Sequence, residues 1–228
     1  MRTATDSPAT EARSAGRTGI QVPALPFLFL GVLVGMTGLV FLFVEVPLLL
    51  GLDSRWSARI EPYAWILHAH AACGVLAMFG GALQFFPFVR DARPRLHCAV
   101  GYVYMGATGV AGPLAVWIAI YHAEPPEALA AVAQAVLWLV TTAIAFLAIR
   151  SRDIATHQLW MARSYALTFT FVLHRYVIGI LGVRLPGELG GTAAFVWLIT
   201  LAAVLAADCI VTFYQPAKPF FRRSRAPA

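Results

Sequence analysis

Five of the six histidines in this chain lie within or at the ends of long apolar stretches: His68, His70, His97, His157 and His174. An imidazole ring in such surroundings usually faces a protein interior, a cofactor or a water-filled path, because hydrocarbon offers it no hydrogen bonds. Imidazole nitrogen is also the commonest protein ligand of haem iron, copper and zinc. The pattern therefore indicates a buried ligand site, and it leaves open a structural role in which the rings only form hydrogen bonds.

Four charged residues also fall inside apolar stretches: Glu45, Arg163, Arg175 and Asp208. Charge at such a depth is costly unless opposite charges neutralise each other. Matching their depths predicts two ion pairs, Glu45 with Arg175 and Arg163 with Asp208. Three roles fit these residues: locking the helices together, holding the propionates of a haem or another anion through the arginine fork, and carrying protons on a carboxylate.

The composition sets the class of protein that positions these side chains. Of the 228 residues, 60% are hydrophobic and 12% are charged, whereas a soluble domain has roughly 25% charged residues. We therefore expect an integral membrane protein surrounded by a lipid bilayer. The net charge of +6 then reflects Lys and Arg on the cytoplasmic side rather than binding of nucleic acid.

Six apolar stretches are long enough to cross the hydrocarbon core, which takes about 20 residues of helix. They are residues 24–51, 62–89, 97–121, 127–150, 157–183 and 191–214. Most Lys and Arg lie in segments that place both termini in the cytoplasm. The sequence predicts an all-α bundle of six transmembrane helices spanning residues 23–214, with a disordered tail at 1–22 and a basic tail at 215–228.

Depth within the spans divides the histidines into two layers. At about 1.5 Å of rise per residue, His68, His70 and His174 lie roughly 9–14 Å from the outer ends of their spans. His97 and His157 begin their spans at the inner face. Two histidines at one depth on different helices can ligate a b-type haem, although His157 and His174 on the same span are rotated by about 260° and do not share a face.

Two segments carry a family resemblance. The pattern that carries the resemblance begins with a His early in one span, Gln-Phe near the end of that span, and a basic loop. It continues with His before Gly-x-x-Tyr and, later in the chain, His-x-x-x-Met-x-Arg-Ser-Tyr-Ala. The residues are His68, Gln84, Phe85, His97, Gly101, Tyr104, His157, Met161, Arg163, Ser164, Tyr165, Ala166 and Arg175. Over roughly residues 62–180 the chain resembles the domain-of-unknown-function family 2306 of predicted bacterial membrane proteins. The arrangement is also broadly similar to cytochrome b561-type bundles, a fold-level similarity that does not establish function.

The resemblance implies a multi-pass protein of the bacterial cytoplasmic membrane. It includes His68, His97 and His157 in its pattern, and it does not include His70 or His174. The leading hypothesis is a haem-b-binding redox protein in which the first three histidines are the iron ligands and the last two are further candidates. Arg163 and Arg175 are then the propionate-binding or structural arginines.

Two other classes of function remain open at this point. One is a small-solute or proton-coupled transporter in which the four intramembrane charges line a polar path. The other is a non-catalytic accessory or assembly subunit whose charges contact a partner subunit in the membrane. No nucleotide-binding loop and no nucleophile motif occurs in the sequence, so a self-contained hydrolase is not expected.

Overall fold

The computed structural model describes residues 24–52, 58, 60–187 and 191–214. Every regular element in this part of the chain is helical, as the sequence predicts. The two predicted tails, 1–22 and 215–228, lie outside the described residues.

The helices follow the predicted spans closely. In chain order they are α1 (Ala24–Val40), a π-helix (Phe41–Glu45), α2 (Val46–Leu49), α3 (Ala64–Gln84), a π-helix (Phe88–Ala92), α4 (Pro94–His122), α5 (Pro125–Arg150), α6 (Ile154–Thr168), α7 (Thr170–Arg175), a π-helix (Tyr176–Ile180) and α8 (Gly191–Tyr214). A short 3₁₀ turn, Glu61–Tyr63, leads into α3. Five helical stretches among the described residues are long and apolar enough to cross a membrane: Leu30–Leu48, Glu61–Gln84, Pro94–His122, Pro125–Arg150 and Gly191–Phe213.

The predicted fifth span, residues 157–183, is helical but interrupted. The 15-residue α6 ends at Thr168, and Phe169 separates it from α7. The hydroxyl of Thr168 donates to the carbonyl of Ser164 at 3.1 Å, and that of Thr170 donates to the carbonyl of Leu167 at 2.8 Å. Such bonds back to the preceding turn bend helices, so no uninterrupted helix here reaches the length of a complete span.

The bundle has two ends, which we call the His122 end, where α4 leads into α5, and the Arg150 end, where α5 leads into α6. Each of α3, α4, α5 and α6 packs on the next, and α8 packs on α5, α6 and α7. By contrast, α1 packs mainly on α3, on α7 and on the Tyr176–Ile180 π-helix. The described part of the chain is thus a bundle to which α1 is added at one side.

Small residues allow the helices of the core to approach closely. Ala77, Ala111 and Ala145 are completely buried, in keeping with the preference for small side chains where helices pack within membranes. Gly81 of α3 is the tightest of these positions, because a Cβ there would overlap the ring of Tyr165. Many large apolar side chains, among them Leu42, Phe43 and Leu147, are exposed, as expected for a surface in contact with lipid.

A hydrogen-bonded network in the core joins α4, α5 and α6. The buried hydroxyl of Tyr104 lies 2.7 Å from the Ser164 hydroxyl and 3.2 Å from the Thr168 hydroxyl, and it accepts a hydrogen bond from Trp138 Nε1 at 3.4 Å. Ser164 also contacts the Thr142 hydroxyl at 2.7 Å. Because Thr142 donates to the backbone carbonyl of Trp138 at 2.8 Å, the chain of hydroxyls ends on a backbone group and serves to fix the three helices in register.

Replacing Tyr104 with Phe is expected to destabilise the bundle by about 1–3 kcal/mol, because Trp138 Nε1 and Ser164 would lose a partner at a buried site. The midpoint of thermal unfolding in detergent should fall by about 2–4 °C for each kcal/mol lost. Tyr102→Phe is the matched control, since the Tyr102 side chain is exposed. Equal midpoints for the two variants would show that the network does not stabilise the fold.

Candidate ligand cavity

A cavity of about 310 Å³ lies among α1, α3, α4, α5, α7 and α8. It extends from Ala123 and Thr192 near the His122 end to Met78 and Trp138 deeper in the bundle. Its volume falls within the range of small-molecule sites in proteins, roughly 300–1,000 Å³. Most of its lining is apolar, and its polar side chains include Glu45, His70, Glu127, Gln134, His174 and Arg175.

His70 reaches the cavity because it shares a face of α3 with Leu67, Ala71 and Gly74, which also line it. The Nδ1 atom of His70 lies 2.9 Å from the backbone carbonyl oxygen of Ala111 on α4. A carbonyl only accepts, so Nδ1 carries the proton and donates it, which leaves a lone pair on Nε2. Histidines that ligate metals usually have their second ring nitrogen fixed in this way.

His174 enters the cavity from a different helix, α7. Its ring packs near Phe171 and Phe195, with ring centroids 6.2 and 6.0 Å away. The Nε2 atom of His174 is buried and has no hydrogen-bond partner. A buried polar atom without a partner is unusual in a stable protein and points to a missing ligand or water.

Both ion pairs that depth-matching predicts are present, with different geometries. Arg175 Nη1 lies 3.3 Å from Glu45 Oε1 in the wall of the cavity. Each of these two residues adjoins a π-helix, a feature frequent at functional sites: Glu45 ends the Phe41–Glu45 segment, and Arg175 precedes Tyr176–Ile180.

The second pair joins α6 to α8 and does not line the cavity. Arg163 donates two hydrogen bonds to the carboxylate of Asp208, at 2.7 and 2.9 Å. Its guanidinium also lies over the ring of Trp160, 4.5 Å from the centroid. Two of the five N–H donors of Arg163 are used in this bidentate pair, which ties α6 to α8.

Asp208→Ala is expected to lower the stability of the protein by about 1–3 kcal/mol, because it leaves the Arg163 guanidinium without its partner. The double variant Arg163→Leu/Asp208→Ala should recover part of the loss, since it removes both charges. Thermal unfolding in detergent measures both effects.

The exposed pair Arg90–Asp91 between α3 and α4 provides a control for this prediction. The two side chains are joined at 2.7 Å, and the Arg90 guanidinium holds the pKa of the Asp91 carboxyl below its usual range. Because exposed pairs contribute little to stability, Asp91→Ala should leave the unfolding midpoint unchanged. If Asp91→Ala lowers the unfolding midpoint as much as Asp208→Ala does, the structural role of the Arg163–Asp208 pair is contradicted.

The other histidines lie outside the cavity lining. His68 is rotated by about 200° from His70 on α3. His97 and His157 lie at the Arg150 end, where Gln84 Nε2 donates to the carbonyl of His97 at 3.0 Å and His157 Nδ1 donates to that of Ala145 at 2.9 Å. His68 is thus separated from His97 and His157, which are neighbours at the Arg150 end.

One iron cannot contact His68, His97 and His157 together. Along α3, His68 lies about 24 Å from Gln84, and Gln84 contacts His97. No group of three or more His, Cys, Asp or Glu side chains with metal-binding geometry occurs among the described residues. The cavity instead contains His70 and His174, the two histidines outside the family pattern.

Sequence reasoning did not select two polar residues of the cavity, Gln134 and Glu127. Gln134 is buried and donates to the carbonyl of Leu167 at 3.1 Å and to the hydroxyl of Thr170 at 2.8 Å. It therefore fixes α5 to the interruption between α6 and α7. Its position in the middle of an otherwise apolar span was a signal that could have identified it.

The family assignment follows from a match that covers most of these elements. The family model described as predicted membrane protein (DUF2306) matches residues 67–212, from within α3 to within α8. The chain belongs to the DUF2306 family. The match confirms the resemblance seen in the sequence, and it does not include α1. No curated protein and no solved structure matches the chain, so the similarity to cytochrome b561-type bundles has no support from a known structure.

Proposed function

We propose that this DUF2306 protein binds haem b in the cavity and takes part in electron transfer across the membrane. The observation that carries the proposal is the presence of two imidazoles, His70 and His174, from different helices in one cavity. The Nδ1–H of His70 is bound to a carbonyl, which leaves Nε2 to act as a ligand, and His174 has a buried nitrogen without a partner. Imidazole nitrogens of this kind are typical ligands of haem iron, so His70 and His174 would hold the group.

The remaining residues of the cavity suit the rest of a haem. The apolar side chains of α3, α4 and α5 would contact the macrocycle and exclude water, and Arg175, which lines the same cavity, would bind a propionate. Arg163 does not line the cavity, and two of its N–H groups bind Asp208. The bound haem would supply one-electron redox chemistry, and the protein would set its orientation and surroundings.

We also propose a topology of six membrane spans with the Arg150 end in the cytoplasm. We take the interrupted stretch 154–180 as a complete span, the fifth in chain order, which gives six spans, since its 27 residues would reach about 40 Å as a continuous helix. Exposed basic side chains collect at the Arg150 end: Arg90, Arg93, Arg95, Arg150 and Arg152. The positive-inside rule places this end in the cytoplasm of a bacterium, with both termini on the same side. The cavity then lies in the outer half of the inner membrane.

Titration of the purified apoprotein with haem b tests the proposal. We expect a shifted Soret band that saturates at one haem per chain, with the spectrum of a six-coordinate haem that has two nitrogen ligands. Linear, non-saturating absorbance, identical to that of haem in empty detergent micelles, would contradict it.

Transport of a small solute is the second candidate, favoured by the position of Glu45 and Arg175 in the cavity wall. The polar path is shorter than the sequence suggested, because Arg163 and Asp208 pair with each other elsewhere. Proton-coupled uptake into proteoliposomes that disappears in Glu45→Gln would support transport over haem binding.

A further inference from the structure

The ion pair in the cavity wall differs from the second intramembrane pair. Arg163 and Asp208 are joined by two hydrogen bonds at 2.7 and 2.9 Å. Arg175 and Glu45 approach only to 3.3 Å, and no hydrogen bond joins the two side chains. The guanidinium of Arg175 therefore keeps donors that a better-placed carboxylate would use, since a bidentate arrangement is the strongest that an arginine makes.

We propose that Arg175 is a carboxylate-binding subsite of the cavity, which Glu45 occupies until a carboxylate of the ligand displaces it. The inference rests on the proposed function for the identity of that ligand, haem b, whose propionates are carboxylates. In this description Glu45 is an internal competitor, and Arg175 determines which ligands bind tightly.

The placement of the two residues favours an exchangeable contact. Arg175 lies within the stretch that the DUF2306 model matches, whereas Glu45 lies on the preceding helical segment outside it. Among the described side chains of α1, only Thr37 and Val40 are buried. Glu45 can leave Arg175 by rotation of its own side chain, so the exchange does not require movement of α1, whose Leu30, Leu33 and Val34 pack against the core.

The other ionisable groups facing the subsite are His70 and His174, which stay available for iron, and Glu127. Glu127 lines the same cavity and is in none of the ion pairs that join described residues. It adds negative charge without competing for Arg175. Comparing variants of Glu45 and Glu127 therefore separates competition for Arg175 from a general effect of negative charge on ligand affinity.

Competition predicts the direction of the change in affinity. The fraction of molecules in which Glu45 occupies Arg175 reduces the apparent affinity for a carboxylate ligand. Glu45→Gln removes the competitor and should tighten binding of haem b by about fivefold or more, a typical coupling between two sites. The affinity for a ligand without carboxylates should be the same in Glu45→Gln as in the wild-type protein.

The test is a set of titrations with haem b and with its dimethyl ester, in which both carboxylates are blocked. We expect Glu45→Gln to tighten haem b and leave the ester unchanged, Arg175→Gln to weaken haem b alone, and Glu127→Gln to change both probes little. If Arg175→Gln does not fold, titrations of the wild-type protein and of Glu45→Gln with haem b and with the ester still test the inference.

Two results would overturn the inference in distinguishable ways. Equal changes in affinity for haem b and for the ester in Glu45→Gln would exclude a carboxylate subsite while leaving haem binding intact. Absence of saturable binding of either probe to the wild-type protein and to Glu45→Gln would overturn the proposed function together with the subsite.

Discussion

Replacing His70 with alanine is expected to abolish tight binding of haem b, whereas replacing His68, two residues earlier on the same helix, should leave binding unchanged. His70 lines the cavity and has its Nδ1–H fixed on the Ala111 carbonyl, while His68 lies on a different face of α3. Loss of an outer contact to a ligating histidine already costs about 10- to 100-fold in metal affinity, so we expect loss of the ligand itself to cost more than 100-fold.

The same titration separates the remaining histidines. His174→Ala should weaken haem binding as strongly as His70→Ala, because both rings line one cavity. His97→Ala and His157→Ala should retain the Soret band, since their side chains lie at the Arg150 end. Loss of haem in His68→Ala, with tight binding kept in His70→Ala, would contradict the assignment.

Replacing Gly81 with alanine is expected to be the most damaging small change in the core. The added Cβ would overlap the ring of Tyr165 and lie 3.1 Å from the ring of Tyr104. The Tyr165 ring cannot turn away without cost, because it is buried and its hydroxyl donates to the Met78 carbonyl at 2.9 Å. Overpacking of this kind costs about 1–3 kcal/mol, and occasionally more.

Gly80 supplies the matched control for this substitution. A Cβ at Gly80 would lie 3.6 Å from Val100, an ordinary van der Waals contact. Gly80→Ala should therefore be neutral or slightly stabilising, since alanine is the better helix former. Thermal unfolding in detergent measures both variants, and equal midpoints would show that α3 and α6 are not packed as described.

The positions of most helices could be predicted from the sequence because their ends are marked chemically. Charged and Pro-containing segments such as 90–96 and 124–127 separate apolar stretches that are long enough for α3, α4 and α5. The partners in the two ion pairs could also be predicted, because a charge in an apolar stretch requires an opposite charge at the same depth. Glu45–Arg175 and Arg163–Asp208 both follow from that requirement.

The residues that line the cavity could not be predicted in the same way, because the sequence does not show how each helix is rotated about its own axis. In a soluble protein an amphipathic stripe shows which face points inward. Here the lipid-facing side is as apolar as the packed side, so nothing in the pattern around α3 distinguished His68 from His70. The interruption at Phe169 was also missed, because it depends on how the hydroxyls of Thr168 and Thr170 bond to the backbone.

The reduced-minus-oxidised absorption spectrum of the wild-type protein, purified in detergent after expression with ample haem, is the direct test of haem binding. We expect a sharp α-band and a Soret difference of a b-type haem in near-stoichiometric amount, because His70 and His174, which line one cavity, would provide two nitrogen ligands. A featureless difference spectrum from folded protein would contradict it.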